Sequence, residues 1–100
     1  MEKVIKIINV YHTPDYEERI DRIGYAGNTC ECCGRRLNPK TMKGLQMLET
    51  GHWTDETAEV KECKSEGWGR SQGWFYIGPE CYKQIRAKLA ASTETMIVEI

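Results

Sequence analysis

The chain has 100 residues, a net charge of −1 at pH 7 and a hydrophobic fraction of 40%. This length predicts one domain over residues 1–100 with a small core, and the near-zero charge excludes a strong overall positive field for nucleic acid. No stretch has the length and apolarity of a membrane span, and the first residues lack the pattern of a signal peptide, so we expect a cytoplasmic protein.

The first predicted elements are a strand and a short helix. Residues 3–10 are rich in Val and Ile, which is typical of a strand, and the doubled isoleucine within them predicts burial on both faces or a bulge. Thr13 before a proline indicates a helix start with Thr13 as N-cap. The helix is expected to run from Pro14 to about Ile23 and to end at Gly24.

The second part of the chain alternates short strand patterns with turns. Strands are predicted at residues 44–49, 57–63, 74–77 and 96–100, of which the last is expected beside the first strand. Residues 65–73 contain three glycines and predict a mobile loop. A helix is predicted from Pro79 to about Ser92, because apolar residues recur there at helical spacing. The expected fold is α+β, with a short antiparallel sheet, a short N-terminal helix and a C-terminal helix.

The cysteines carry the strongest functional signal. There are five, and an odd number excludes complete pairing as disulfides. Cys30 and Cys33 form a Cys-x-x-Cys pair followed by Gly34, which is how a zinc knuckle is built. Cys81 follows a Gly-Pro pair at the expected start of the last helix, where the helix N-terminus favours a thiolate. We therefore predict that Zn²⁺ connects the knuckle to this helix, within a zinc-binding region over about residues 27–92.

The sequence offers several candidates for the fourth zinc ligand. Cys63 is preferred, because it offers another thiolate and lies between the two halves of the site. His52, in a predicted turn, is the second candidate, followed by a water molecule or Cys32. Joint ligation by Cys32 and the adjacent Cys33 would be strained. The predicted metal site is therefore Cys30, Cys33, Cys63 and Cys81.

Two resemblances follow from these motifs. A knuckle, a hairpin and a helix with a ligand in its first turn resemble a treble clef, although that fold usually takes two ligands from the helix and this chain offers only Cys81. The pattern Cys-x-x-Cys-Gly-Arg from residue 30, with Ile-Gly-x-x-Cys from residue 77, is similar to small uncharacterised proteins of bacteriophages and prophages. This resemblance covers roughly residues 30–88 and implies a zinc-binding protein in the host cytoplasm, without implying an activity.

Known enzyme motifs do not occur in the sequence. A zinc deaminase needs His-x-Glu and Pro-Cys-x-x-Cys, and a His-Asn-His nuclease needs a histidine on its helix, where this chain has none. The zincin, P-loop and nucleophile-elbow motifs are also missing. A zinc ion with four thiolate ligands would be closed to substrate. We therefore expect a protein that is not an enzyme.

The aromatic residues indicate a binding module. Three tryptophans and five tyrosines exceed what a small core needs. Trp68 lies between two glycines and beside Arg70, which predicts an exposed aromatic contact, with packing as a lid over the sheet as the alternative. Arg35, Arg36, Lys40 and Lys43 form a basic cluster after the knuckle, of which the two arginines are the predicted binding residues. We expect a protein partner, and nucleic-acid binding is the alternative. The third hypothesis is a structural accessory protein or a dimer formed through a terminal strand.

Overall fold

The computed structural model of the protein describes residues 1–23 and 28–100, which contain two helices and antiparallel strands in two sheets. In chain order the elements are β1 (Glu2–Lys6), β2 (Ile8–Asn9), α1 (Tyr16–Ile23), β3 (Lys43–Leu48), β4 (His52–Thr54), β5 (Glu62–Cys63), β6 (Ser71–Ile77), α2 (Pro79–Ala91) and β7 (Thr95–Glu99). The α+β class is confirmed. The strand orders are β1-β7-β5 and β2-β4-β3-β6, so two sheets replace the single sheet predicted.

The first strand pattern is divided between the two sheets. In β1, Ile5 lies opposite Met96 of β7, whereas in β2 Ile8 lies opposite Trp53 of β4. Ile7 lies between the two strands and is buried in the core. The doubled isoleucine therefore marks the point where the chain changes sheets, and each of the two side chains packs against a different core cluster. The predicted pairing of the last strand with the first is confirmed.

Helix α1 begins later than predicted, at Tyr16 rather than Pro14. The Thr13 hydroxyl has no hydrogen-bond partner in the described residues, so the predicted N-cap contact is not formed. The Thr13 N–H instead donates to the Cys32 carbonyl at 3.0 Å, which joins the start of the helix to the knuckle. The predicted helix stop at Gly24 lies outside the described residues.

The core consists of two clusters on opposite sides of β3. Successive residues of a strand face opposite sides, so Leu45 and Met47 contribute to one cluster and Leu48 to the other. The first cluster packs the four-stranded sheet against α2 and contains the knuckle; its large members include Leu45, Trp53, Ile77, Ile85 and Leu89. The second cluster joins the two sheets and contains Leu48, Val60, Cys63, Met96 and Val98.

Most of the segment predicted as a strand at 57–63 is instead a loop, and a buried glutamine holds it. Only Glu62–Cys63 is a strand there, and it pairs with β7. Gln46 Nε2 donates to the carbonyls of Glu56 and Ala58 at 2.9 and 3.0 Å, and its Oε1 accepts the Val60 N–H at 2.9 Å. These bonds satisfy the buried amide, and they hold the loop on the sheet without a strand ladder.

The strand that leads into α2 is longer than predicted. β6 begins at Ser71, inside the predicted loop, and β4 was not predicted at all. Among the described strands β6 pairs with β3 alone, which makes it an edge strand of the larger sheet. Its C-terminal end delivers the chain to Pro79, the first residue of α2, beside the knuckle. In residues 1–23 and 28–100, neither helix is long and apolar enough to cross a membrane.

Candidate metal centre

Three of the predicted ligands lie together. The sulfur atoms of Cys30 and Cys33 in the knuckle and of Cys81 in the first turn of α2 all lie within 4.8 Å of one another. A tetrahedral ion with a metal–sulfur distance near 2.3 Å places its sulfur ligands about 3.8 Å apart. These three residues can therefore hold a metal ion with small side-chain shifts.

The knuckle is a tight hairpin closed by its own backbone. The Cys30 N–H donates to the Arg35 carbonyl at 2.8 Å, and the Gly34 N–H donates to the Cys30 carbonyl at 2.9 Å. Gly34 has φ of 75°, in the left-handed region that glycine adopts most easily. A Cβ atom there would also lie 3.0 Å from the Tyr16 carbonyl oxygen. Backbone conformation and the close approach of α1 therefore both require glycine at this position.

The Cys30 sulfur accepts hydrogen bonds from three backbone N–H groups. Those of Cys32 and Cys33 lie 3.4 and 3.5 Å away, and that of Gly78, the N-cap of α2, lies 3.4 Å away. Burial raises the pKa of the Cys30 thiol, but these three donors outweigh burial and lower the pKa below its ordinary value. The knuckle and the helix start are therefore arranged around a thiolate, which is the form that binds metal.

Without a cation, the pKa of the Cys81 thiol is raised, whereas that of Cys30 is lowered. Burial raises the pKa of its thiol strongly, and the nearby sulfurs of Cys30 and Cys32 raise it further. Several thiolates are unfavourable so close together unless a positive charge lies between them. A divalent cation supplies that charge and deprotonates a coordinating thiol, so metal binding at this cluster would release a proton from Cys81.

Cys63 lies elsewhere, which corrects the predicted fourth ligand. It is fully buried in the second core cluster and is not part of the group formed by Cys30, Cys33 and Cys81. Burial raises the pKa of its thiol, and the Thr50 hydroxyl opposes the rise. Cys63 is therefore a small buried core residue. It lies away from the knuckle because β5 pairs with β7 in the smaller sheet.

His52 and Cys32, the other candidates, also lie outside the group. His52 is on β4, and its Nδ1 lies 2.9 Å from the Thr50 hydroxyl. Cys32 is fully buried, and its thiol interacts with Cys81 and with the Tyr11 hydroxyl. Burial, followed by the charge of Cys32, raises the pKa of Tyr11 to about 12. Cys32 is thus the closest further thiol, but it lies on the core side of the cluster.

A pocket of about 480 Å³ is lined by all three clustered cysteines. Its lining also includes Thr13, Asp15, Arg19, Arg35, Arg36 and Glu80. Arg19 donates to the Cys33 carbonyl at 3.0 Å and pairs with Asp15 at 3.3 Å. Arg35 and Arg36 are exposed and have no ion pair in the part of the chain that is described. The two arginines of the predicted basic cluster therefore lie at the pocket.

The other predicted binding residues lie apart from the pocket lining. Trp68 is 58% exposed, between Gly67 and Gly69, which have φ of 77° and 95°. Its exposure does not fit the alternative of a lid packed over the sheet. Arg70 donates its N–H to Glu49 at 3.0 Å, and its Nε lies 3.8 Å from the same carboxylate. Neither Trp68 nor Arg70 is among the pocket residues.

An exposed aromatic pair on β6 was missed by the sequence prediction. Trp74 and Tyr76 are 42% and 52% exposed and point to the same side of the strand. Gly44 lies opposite Tyr76, and a Cβ there would lie 3.7 Å from the Tyr76 ring and 3.8 Å from Trp74, so no side chain separates the pair. The Glu31 N–H donates to the Tyr76 carbonyl at 3.3 Å, which joins this aromatic face to the knuckle. The i, i+2 spacing of Trp74 and Tyr76 within a predicted strand was the available signal.

Comparison with known proteins finds no matching family model, no matching curated protein and no matching solved structure.

Proposed function

We propose that the protein is a zinc-binding module of the treble-clef type that acts through contacts with a protein partner and is not an enzyme. The observation that supports zinc is the meeting of three cysteine sulfurs, from two elements distant in sequence, within 4.8 Å. Zinc suits thiolate ligands and tetrahedral geometry and has no redox chemistry of its own. A knuckle followed by strands and by a helix with Cys81 in its first turn supports the treble-clef type, although that fold usually takes two ligands from the helix.

The aromatic face of Trp74 and Tyr76 is the proposed contact surface. Tryptophan and tyrosine are the residues that most often contribute the binding energy of protein interfaces. The net charge of −1 gives no general attraction to nucleic acid. Because the Glu31 N–H holds the Tyr76 carbonyl, a metal ion that fixes the knuckle would also fix this face. Zinc would then act by keeping the recognition surface in one conformation.

Selection from a displayed library of random peptides on the zinc-loaded protein tests the surface. We expect the combined change Trp74→Ala and Tyr76→Ala to weaken the selected peptides by tenfold or more, because one interface anchor contributes about 2 kcal/mol or more. Zinc content and melting temperature should stay nearly constant, since both side chains are partly exposed. Trp68→Ala is the matched control and should bind normally. Unchanged binding to the double variant, or a loss confined to Trp68→Ala, would contradict the proposal.

Nucleic-acid binding is the second candidate function. It is favoured by Arg35 and Arg36 beside the knuckle, which have no ion pair among the described residues, and by aromatic rings on the strand joined to that knuckle. Arginines and aromatic rings together bind single strands by phosphate contacts and stacking. The probe is a labelled single-stranded oligonucleotide titrated at several salt concentrations. Affinity that falls steeply with salt and weakens in Arg36→Gln would favour this candidate over a protein partner.

A further inference from the structure

We propose that the metal ion bound by Cys30, Cys33 and Cys81 has an open fourth position on the pocket, and that an oxyanion (a carboxylate or a phosphate) fills it. Arg35 and Arg36 would bind the remaining oxygens of this ligand. The inference rests on the proposed metal binding and goes beyond it, because it makes the centre a ligand-binding site rather than a purely structural one.

The described residues supply no fourth ligand to the group. It contains three residues, and the two candidates favoured by the sequence, Cys63 and His52, lie elsewhere. The residues outside the described part are Gly24, Tyr25, Ala26 and Gly27, which carry no imidazole, thiol or carboxylate. An ion with only three protein ligands needs a further ligand from solution.

Cys32 is the one thiol that could close the site, and its placement opposes this role. It is fully buried in the first core cluster, where its thiol lies beside the Cys81 thiol and the Tyr11 hydroxyl. It is not part of the group whose ligand atoms all lie within 4.8 Å of one another, and it does not line the pocket. Its own N–H donates to the Cys30 sulfur at 3.4 Å. Cys32 therefore supports the cluster from the core side and leaves the pocket side open.

The open side has room and an unpartnered polar group. All three clustered cysteines line the 480 Å³ pocket, which is far larger than the roughly 30 Å³ share of one water molecule. The Thr13 hydroxyl oxygen is buried without a hydrogen-bond partner and belongs to a residue of the same lining. A polar ligand that reached this hydroxyl would supply the partner that buried hydroxyl groups normally have.

The two free arginines of the lining can bind an oxyanion. Arg19 already pairs with Asp15 and donates to the Cys33 carbonyl. Arg35 and Arg36 also line the pocket and have no ion pair in the described chain. A divalent ion with three thiolates has a net charge of −1, and Glu80 adds a second negative charge to the lining. The two guanidinium groups balance these charges. An anion would therefore be held by direct hydrogen bonds from arginine, whose fork geometry matches carboxylate and phosphate.

X-ray absorption of the zinc-loaded wild-type protein and visible absorption of the cobalt-substituted protein test this inference. We expect three sulfur donors and one oxygen donor, and cobalt bands that shift when inorganic phosphate or acetate is added at constant ionic strength. The two probes distinguish phosphate from carboxylate preference. Arg35→Gln and Arg36→Gln should each weaken this binding by about tenfold, as expected for loss of a charge-assisted hydrogen bond. Arg70→Gln, which changes an arginine outside the pocket, should leave it unchanged.

The remaining outcomes distinguish a failure of this inference from a failure of the proposed metal binding. Four sulfur donors in the wild-type protein would overturn the inference and assign Cys32 as the fourth ligand, and this measurement needs no variant that must fold. An oxygen donor with cobalt bands insensitive to both anions, or with equal affinity in the arginine variants, would overturn the anion site. Failure of the wild-type protein to bind zinc or cobalt would overturn the proposed function itself.

Discussion

Cys33→Ser and Cys81→Ser are expected to abolish metal binding and to unfold the protein or prevent its soluble expression. Each change removes one of the three clustered cysteines proposed as ligands and would weaken the connection between the knuckle and α2. Structural zinc contributes roughly 10–16 kcal/mol of apparent binding free energy in small peptides at neutral pH. The net stability of a typical domain is only about 5–15 kcal/mol, so loss of the metal can exceed it. Zinc content and circular dichroism of the purified variants measure the effect.

Cys63→Ser is the matched control for these two variants. It changes another fully buried cysteine, but one in the second core cluster. We expect it to retain zinc and to lose stability by about 1 kcal/mol, as an ordinary core substitution does. Loss of zinc from Cys63→Ser to the same extent as from Cys33→Ser would contradict the placement of Cys63 outside the metal site.

Trp53→Ala is expected to reduce the free energy of unfolding by roughly 3–5 kcal/mol, the range for truncation of a large aromatic side chain in a core. Trp53 is fully buried in the first core cluster, where it lies opposite Met47 of β3 and Ile8 of β2. Trp68→Ala, at a residue that is 58% exposed, should change stability by no more than about 0.5 kcal/mol. Urea denaturation at fixed zinc occupancy compares the two variants.

The variant Trp53→Phe separates the contribution of ring packing from that of the buried indole N–H group. The Trp53 indole nitrogen is buried without a hydrogen-bond partner in the described residues, which costs roughly 1–3 kcal/mol. Trp53→Phe removes that N–H and keeps an aromatic ring, so it should be less damaging than Trp53→Ala. Equal destabilisation by Trp68→Ala and Trp53→Ala would contradict the placement of Trp68 on the surface.

The sequence predicted the features that depend on neighbouring residues. The knuckle needs only Cys30, Cys33 and a glycine that adopts positive φ, and the structure has this turn with Gly34 at φ of 75°. The predicted helix from Pro79 to about Ser92 agrees with α2, because Pro79 can begin a helix and the apolar spacing continues through Leu89. These local rules also place Cys81 in the first turn of α2.

The errors concern pairing between distant residues. The choice of Cys63 assumed that proximity along the chain would bring it to the knuckle, but β5 pairs with β7 and carries it into the second cluster. The region around 57–60 was predicted as strand, whereas Gln46 supplies the hydrogen bonds that hold it. A glutamine in β3 gives no local sign of a distant loop. Thr13 has the residue type of an N-cap, but its N–H bonds the knuckle and the helix begins later.

The metal content of the wild-type protein, purified without chelator and measured by elemental analysis, tests the central claim most directly. We expect about one zinc ion per chain, held by the group of Cys30, Cys33 and Cys81. Removal of this zinc by a strong chelator should unfold the protein, and its return should refold it. A folded protein that contains no metal, with these cysteines as free thiols or paired as disulfides, would contradict the account.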